Sequence, residues 1–276
     1  NIHYHQNLDE IALQGASIAE QIRPTLMKQM SLESLPTLDI IFTAEDEVLN
    51  GFAVPANYTI IWVDQNDAAL WTGDEKWLRT VLAHELQHLV YFNTVKGPWW
   101  LPEPMNSLVH GTPAWIVEGI AEYFTEEWRP FRYELSHRYH VLRNTVHKIQ
   151  DPHNDGYSKS LYLADRFGDS TISKILNHRN KFKFLDFKES FKKHTGITLK
   201  QFNEDWRRQM NTFYFSQRSQ KERLEDAGTI RKLPIKRVLS FDYFSDTSRV
   251  AMITRLSKGQ YDFCLLYTSP SPRDSL

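Results

Sequence analysis

The 276-residue chain contains a single cysteine, Cys264, and no long hydrophobic run. One thiol cannot build a disulfide framework, and an α-helix needs about 20 consecutive apolar residues to cross a bilayer. No signal peptide is visible, and the chain begins with Asn1 rather than Met, which suggests a fragment or a processed form. These absences argue against a disulfide-stapled scaffold and predict that the chain does not span a membrane.

The C-terminal residues do not read as natural protein sequence. The stretch from Cys264 to Asp274 resembles one reading frame of a transposon-end sequencing adapter. We therefore expect residues 264–276 to be foreign to the protein and exclude them from the prediction of the fold. Because the only cysteine lies in this stretch, no catalytic thiol is left to consider.

The net charge of −1 hides an uneven distribution. Residues 1–127 carry 5 Lys and Arg against 18 Asp and Glu, a net −13, whereas residues 181–237 carry 15 against 7, a net +8. The acidic part argues against a nucleic-acid partner. The basic part suits an acidic partner or lipid headgroups, although ordinary solvated helices are the simpler interpretation.

The pentapeptide His84-Glu85-Leu86-Gln87-His88 carries the clearest chemical signal. Residues four apart lie on one face of a helix, so His84 and His88 can bind one cation together. Glu85 lies one step round the helix, where a general base that activates water beside a metal must stand. Thr72 and Glu75 predict a capping box that begins this helix. Its apolar stripe is formed by Leu78, Val81, Leu82, Leu89 and Phe92.

A second motif follows in the stretch from Thr112 to Phe124. Thr112 suits an N-cap and Pro113 a first helical position, so this stretch is predicted to be helical. Glu118 and Glu122 are four apart and project from one face among apolar neighbours, which indicates an interior position that requires a cation. Catalytic zinc keeps three protein ligands, and Glu118 is the best candidate for the third.

The two motifs together resemble those of the gluzincin metallopeptidases. His-Glu-x-x-His is followed by Trp-x-x-Glu-Gly-x-Ala-Glu-Tyr, whose first glutamate, Glu118, lies 30 positions after His88. The pattern is most similar to the peptidase-MA-like proteins, several of which continue into a β-propeller. The resemblance implies one Zn²⁺ per chain, with His84, His88 and Glu118 as its ligands. It makes Glu85 the general base and places Glu122 where gluzincins have a carboxylate that hydrogen-bonds the first ligand histidine.

The same resemblance suggests a substrate-binding strand. Gly51-Phe52-Ala53 is similar to the edge-strand segment of gluzincins that pairs with an extended peptide. A plain strand or loop is the alternative interpretation.

Tyr157 is a candidate for stabilising the oxyanion. Peptidase-MA-like chains follow the zinc glutamate with a tyrosine that leads a helix ending in an aromatic-Gly pair, and Tyr157 with Phe167-Gly168 looks similar. A phenol there can donate a hydrogen bond to the oxyanion. A tyrosine of the core is the alternative, and His153 and Tyr162 are rival donors.

The segment between the two motifs, Lys96 to Gly111, contains several prolines and is predicted not to be helical. We expect Trp99 and Trp100 to pack this segment over the site, and the alternative is that they line a groove. His110 fits the third-ligand role less well than Glu118 and is taken as a bystander.

The remaining pattern predicts mainly helices around a small sheet. Three histidines on the predicted helix 131–149, His137, His140 and His147, are interpreted as structural. The predicted elements are an opening helix over 7–30 disturbed near Pro24, strands over 38–42 and 58–63 with an Asn50-Gly51 turn between them, a helix over 131–149, a turn-rich segment over 151–156, and amphipathic helices over 184–194 and 198–215 separated by Gly196.

Short strands over 237–241, 249–253 and 261–263 are separated by predicted turns at 246–248 and 258–259. They resemble the opening strands of a TolB-like propeller blade. One partial blade cannot close a propeller, so we expect this segment to be poorly packed. The predicted organisation is a metallopeptidase domain over 1–220, a linker over 221–236, a partial β-propeller blade over 237–263 and the adapter-like residues 264–276.

The sequence therefore predicts an α+β fold: a gluzincin, thermolysin-like domain with a small β-sheet and mainly α-helices, followed by a truncated β-propeller. The expected function is a zinc-dependent peptidase. An endopeptidase is favoured because the chain lacks the Gly-x-Met-Glu-Asn segment with which related aminopeptidases hold the substrate amino terminus. The alternatives are a catalytically silent peptidase-like scaffold, or a zinc amidohydrolase acting on a non-peptide amide. The expected partners are a peptide or protein substrate and, through a propeller, another protein, and the resemblance suggests the periplasm or cell envelope.

Overall fold

The computed structural model describes residues 1–45, 50–63, 77–125, 131–149, 151–222, 226, 238–245, 249–257 and 260–267. The chain divides into two compact units, Asn1–Ser219 and Gln220–Leu276. The fold belongs to the mixed α+β class, with helices and two small sheets. Some predicted features lie outside the described residues. They are the capping box at Thr72 and Glu75, the turns at 246–248 and 258–259, and most of the 221–236 linker.

A four-stranded sheet opens the first unit. Its strands are β1 (Ile2–Tyr4), β2 (Asp39–Thr43), β3 (Asn50–Val54) and β4 (Tyr58–Trp62). They lie in the order β1-β2-β4-β3; β1, β2 and β4 are parallel, and β3 pairs antiparallel with β4 at one edge. The two predicted strands are confirmed as β2 and β4. The predicted Asn50-Gly51 turn is wrong, because these residues begin β3.

Helices make up the rest of the first unit. Most of the predicted helices are confirmed, with shifts of a few residues at their ends, and Pro24 lies inside the first helix. The described helices are α1 (Asp9–Gln29), α2 (Trp77–Thr94), α3 (Glu103–His110), α4 (Ala114–Thr125), α5 (Phe131–Leu142), α6 (Pro152–Phe167), α7 (Ser170–Asn177), α8 (Phe187–Thr195) and α9 (Leu199–Ser219).

The proline-rich connection between α2 and α4 was predicted not to be helical, and this is wrong. Pro102 precedes α3 and Pro104 lies in its first turn. The first backbone N–H groups of a helix have no partner within that helix, so proline costs little there. The prolines of this segment therefore mark where a helix begins.

The prediction that Trp99 and Trp100 pack this segment over the site is also wrong. They lie at the tip of a turn in which the backbone N–H of Leu101 donates to the carbonyl oxygen of Pro98. Trp99 is 96% exposed and Trp100 is 50% exposed. Trp99 is therefore solvent-exposed and Trp100 is half-covered, so the two indoles are not packed over the site.

Two further boundaries differ from the prediction. The segment 151–156 is the start of α6, because the side chain of Asp151 caps the helix by accepting from the backbone N–H of His153, and Pro152 occupies its first turn. Residues typical of turns are also those that begin helices. The predicted helix 131–149 ends at Leu142, since Asn144 has a left-handed φ of 55°, and only Val146–Lys148 resumes as a short 3₁₀ turn.

Helices α4 and α6 cross with their backbones in contact. A Cβ at Gly119 of α4 would lie 2.3 Å from the carbonyl oxygen of Gly156 on α6. Real Cβ atoms do not approach backbone so closely, so both positions require glycine. This crossing fixes where the side chains of α4 lie relative to the first turn of α6.

Replacing Gly119 by alanine tests this crossing. Alanine in a helix is intrinsically favoured over glycine by about 1 kcal/mol, but overpacking costs about 1–3 kcal/mol or more, and here the backbones must separate. We expect a net loss of about 2 kcal/mol of unfolding free energy, which lowers Tm by about 4–8 °C in a unit of this size. Thermal unfolding of the full chain measures this change in Tm.

Asp165→Ala, an exposed position on α6, is the control and is expected to change the free energy of unfolding by less than about 0.5 kcal/mol. A Gly119→Ala protein as stable as the wild type would show that the two helices can move apart without cost.

The second unit is a three-stranded antiparallel sheet in the order β5-β6-β7, with β5 (Val238–Phe244), β6 (Arg249–Ser257) and β7 (Gln260–Tyr267). Every residue of β5 is exposed, and among the residues of this unit whose burial is described only Met252 and Thr254 are buried. The expectation of poor packing is confirmed. Strand β7 continues through Cys264 to Tyr267, so part of the segment set aside as adapter-like takes part in the sheet, as its apolar character permits.

Along the described part of the chain, no helix combines the length and the apolar character needed to cross a bilayer.

Candidate metal centre

Most of the predicted site residues line one cavity of about 710 Å³. Helix α2 contributes the His-Glu-x-x-His side chains, α4 its two glutamates, and the first turn of α6 one histidine. The edge strand β3 forms another wall. The predicted site residues that line the cavity are Gly51, Phe52, Ala53, His84, Glu85, His88, Glu118, Glu122 and His153.

His84, His88 and Glu118 converge as three ligands of one ion would. The two Nε2 atoms are 3.1 Å apart, and Glu118 Oε2 lies 3.5 Å from His84 Nε2 and 3.3 Å from His88 Nε2. A tetrahedral zinc with bonds of about 2.0–2.1 Å places its ligand atoms about 3.3–3.4 Å from one another. The three observed distances scatter around this edge length, so the donor set fits Zn²⁺.

The surroundings of Glu118 also favour a cation. Burial alone would raise the pKa of Glu118, but hydrogen bonds from His153, His84 and His88 outweigh it and hold the pKa well below its usual range. Burial lowers the pKa of His84, which favours the neutral imidazole that a metal requires. The site therefore presents an ionised carboxylate beside a neutral imidazole.

Glu122 lies behind His84. Its side chain is 1% exposed, and Oε1 is 3.8 Å from His84 Nδ1. This distance is longer than a hydrogen bond, although the carboxylate is on the correct side of the ring for the predicted role. Nδ1 of His88 is buried without a hydrogen-bond partner among the described residues.

Glu85 is held between α2 and the edge strand β3. Burial raises the pKa of Glu85 to about 7, and the backbone N–H of Ala53 donates a hydrogen bond to its carboxylate. A Cβ at Gly51 would lie 2.5 Å from Glu85 Cγ and 2.8 Å from Val81 Cγ2. Only glycine lets β3 lie this close, so Gly51 helps to fix the carboxylate beside the ligand triad.

His153 belongs to the same site. Its Nε2 is 3.1 Å from Glu118 Oε2, its Nδ1 is 3.4 Å from Asp151 Oδ1, and its ring stacks on that of His84 at 5.7 Å and 19°. The hydrogen bond to Glu118 raises the pKa of His153, and burial opposes it. A second group of potential metal donors, with ligand atoms within 4.8 Å of one another, consists of His84, Glu122 and His153.

Tyr157 is not brought to the cavity wall. It is 6% exposed, and its ring packs 6.4 Å from that of Tyr123. Tyr162 packs on Phe202 at 5.4 Å, and its hydroxyl accepts a hydrogen bond from Arg166. Of the three candidate donors to the oxyanion, only His153 lines the cavity.

The other histidines stay outside the site. His110 accepts a hydrogen bond from the backbone N–H of Thr112 through Nδ1, as expected of a bystander. His137 is buried against Ser158, with 2.9 Å between Nε2 and Oγ. His140 contacts Thr145, and His147 is exposed.

The sequence did not predict which apolar residues line the cavity, and it named Phe92 and Val81 only as part of the apolar stripe of α2. Phe92 lies four residues after His88 and its ring stacks on the imidazole at 6.3 Å, while Val117 directly precedes Glu118. Helical spacing from the ligands was the signal that could have found them. The further residues of the wall are Pro55, Trp77, Thr80 and Val81.

No family model matches the chain, and a comparison with curated proteins found no match.

Proposed function

We propose that the first unit is a gluzincin-type zinc peptidase that hydrolyses peptide bonds. The observation that carries the proposal is the near-tetrahedral spacing of His84 Nε2, His88 Nε2 and Glu118 Oε2, with the buried carboxylate of Glu85 beside them in one cavity. Three protein ligands with a fourth position open to a cavity are typical of catalytic zinc. Zn²⁺ bound there supplies a Lewis acid that polarises a carbonyl group and lowers the pKa of water toward about 7.

Glu85 is proposed as the general base. Its carboxylate accepts a proton from the attacking water and passes it to the leaving amine. The hydrogen bond from Ala53 and the contact with Gly51 hold the carboxylate in one orientation, so its position is fixed before substrate arrives. Glu122, buried behind His84, orients that ligand ring.

Strand β3 is proposed to bind the substrate backbone. It lies at the edge of its sheet, and the N–H of Ala53 reaches Glu85, so the backbone of β3 faces the cavity. An extended peptide that adds to such an edge has its scissile bond beside the general base. Gly51, Phe52 and Ala53 all line the cavity, which supports this placement.

An endopeptidase is the proposed type of peptidase, because the chain lacks the Gly-x-Met-Glu-Asn segment with which related aminopeptidases hold the substrate amino terminus. The periplasm or cell envelope is the proposed location, on the resemblance alone.

Two measurements on the purified full chain test the proposal. One is its metal content, and the other is its cleavage of casein and of a peptide library. We expect about one Zn²⁺ per chain, internal cleavage sites, and loss of cleavage in 1,10-phenanthroline that added Zn²⁺ restores. Zinc without cleavage of any peptide would favour the silent scaffold or an amidohydrolase of non-peptide amides. A folded protein that binds no zinc would contradict the proposal that the site is a zinc site.

A further inference from the structure

We propose that the surface formed by α3 and the two connections beside it binds an anionic lipid bilayer. Its centre, the apolar patch, consists of large side chains exposed to solvent, and its margin, the basic rim, consists of exposed lysines. The apolar patch is Trp99, Trp100, Met105, Leu108 and Val109, and the basic rim is Lys96, Lys181 and Lys183. None of these residues is among the described residues of the cavity wall, so the inference does not depend on the proposed peptidase function.

Helix α3 exposes apolar side chains and buries a polar one. Leu108 is 81% exposed and Met105 is 54% exposed, whereas Asn106 is buried. The Nδ2 group of Asn106 donates to the carbonyl oxygen of Val95 at 3.2 Å, and a Cβ at Gly97 would lie 2.5 Å from Asn106 Oδ1. A helix on the surface of a globular protein normally has the opposite arrangement. An apolar face held outward in this way is typical of a surface that binds a protein or a membrane.

The turn before α3 extends the apolar face. Trp99 is almost fully exposed and Trp100 is half-covered, and the turn is closed by the hydrogen bond from Leu101 to Pro98. An indole has an apolar body and one N–H group, and it prefers the boundary between lipid and water. The apolar patch therefore suits a bilayer, with indoles at the level of the headgroups and the α3 side chains at the start of the acyl chains.

The connection 178–184 carries two of the three rim lysines and lies beside α3. Arg179 donates through Nη2 to the carbonyl oxygen of Thr94, at the end of α2. Burial and the nearby charge of Arg179 lower the pKa of His110, the last residue of α3. Arg179 therefore attaches this connection to both ends of the segment that carries the apolar patch.

The tip of this connection places an aromatic ring between two lysines. Phe182 is 57% exposed, and both Lys181 and Lys183 are exposed. Asn180 fixes the turn, because its Oδ1 accepts from the backbone N–H of Phe182 at 2.9 Å and its carbonyl oxygen accepts from the backbone N–H of Lys183 at 2.9 Å. A lysine can lay its apolar stem against lipid and keep its ammonium group among the headgroups. The tip can therefore insert Phe182 while the two lysines bind lipid phosphates.

The charge of the surface favours an anionic bilayer as the occupant. Residues 95–110 and 178–184 contain four Lys and Arg against one Asp or Glu, a net +3, although residues 1–127 carry a net −13. A positive surface with exposed apolar groups at its centre matches anionic headgroups above acyl chains. A second copy would bring the same positive charge against this surface, which opposes self-association. An acidic protein would need only the lysines, whereas a bilayer uses the lysines and the apolar patch together.

Flotation of the purified full chain with vesicles tests the proposal. One set of vesicles contains phosphatidylcholine alone, and the other contains about 30% phosphatidylglycerol as well. We expect the wild type to bind the anionic vesicles at least about tenfold more tightly than the neutral ones. Binding should weaken strongly at about 0.5 M NaCl, because salt screens the attraction between lysines and headgroups.

A paired substitution tests the apolar patch. Trp99→Ser combined with Leu108→Ser should weaken binding to anionic vesicles by about tenfold or more, because less apolar surface leaves water. The control is Leu13→Ser, which changes a comparably exposed leucine on α1 and should keep binding within about twofold of the wild type. The substituted side chains are exposed, so we expect all three proteins to fold, and thermal unfolding checks this.

A second paired substitution tests the basic rim. Each lysine near an anionic surface strengthens binding by about fivefold, so Lys181→Gln combined with Lys183→Gln should weaken it by about tenfold or more. The control, Lys28→Gln combined with Lys200→Gln, removes the same charge from exposed positions outside this surface and should keep binding within about threefold.

Three results would overturn the proposal. The first is a wild type that binds neither kind of vesicle. The second is binding that the lysine pair weakens and the Trp99→Ser, Leu108→Ser pair does not, which would indicate a surface for an acidic protein. The third is a wild type that sediments as a dimer and becomes a monomer in the Trp99→Ser, Leu108→Ser protein, which would indicate contact between two copies of the chain.

Discussion

Replacing Glu85 by glutamine is expected to lower kcat for peptide cleavage by about 10²–10⁴-fold while zinc binding is retained. Glutamine has the shape of glutamate and can still accept the hydrogen bond from the N–H of Ala53, so β3 and α2 should keep their contact. The amide cannot accept a proton from water. The loss should therefore appear in kcat, because the substrate contacts of the ground state are preserved.

The control for Glu85→Gln is Glu20→Gln, which removes the same charge from an exposed carboxylate on α1. It should leave kcat within about twofold. Zinc content measured on the same samples shows whether lost activity reflects lost metal. A Glu85→Gln protein that contains zinc and cleaves peptides at the wild-type rate would remove Glu85 from the mechanism.

Replacing His88 by alanine is expected to weaken zinc binding by about a hundredfold or more and to lower cleavage at limiting zinc accordingly. Structural zinc sites bind with about 10–16 kcal/mol shared among their ligands, so one ligand contributes roughly 3 kcal/mol, equivalent to a hundredfold or more in affinity. His88 is mostly buried and points Nε2 at both His84 and Glu118. Its loss leaves two of the three donors of the triad, so the site should hold zinc less tightly.

Thermal unfolding gives a readout of this change that is independent of activity. A ligand present at 1,000 times its Kd stabilises the folded state by about 4 kcal/mol, which corresponds to a rise in Tm of about 8–16 °C for a unit of this size. We expect added Zn²⁺ to raise the Tm of the wild type and of the exposed control His147→Ala. An equal rise in His88→Ala would show that zinc binds elsewhere.

The sequence was sufficient to identify the candidate metal ligands, since the periodicity of a helix is a local property. Four-residue spacing places His84 and His88 on one face of α2, and Glu118 and Glu122 on one face of α4, whatever the rest of the chain does. The structure brings these pairs together in one cavity, as the two motifs predicted. Prediction from local sequence was wrong where one residue type occurs both in turns and at the start of helices. Prolines and aspartate that were interpreted as turn or connection signals begin α3 and α6.

What the sequence by itself determined is the identity of the candidate ligands and base, and the helices that carry them, because residue type and helical spacing are encoded locally. The tertiary structure decided which donor faces the cavity. Tyr157 and His153 lie one helical turn apart on α6, and the backbone contact of Gly119 with Gly156 keeps the first in the core and leaves the second at the wall. It also decided that Gly51 lies against Glu85. Both outcomes depend on the distance between elements remote in the chain, which packing sets and local propensity does not.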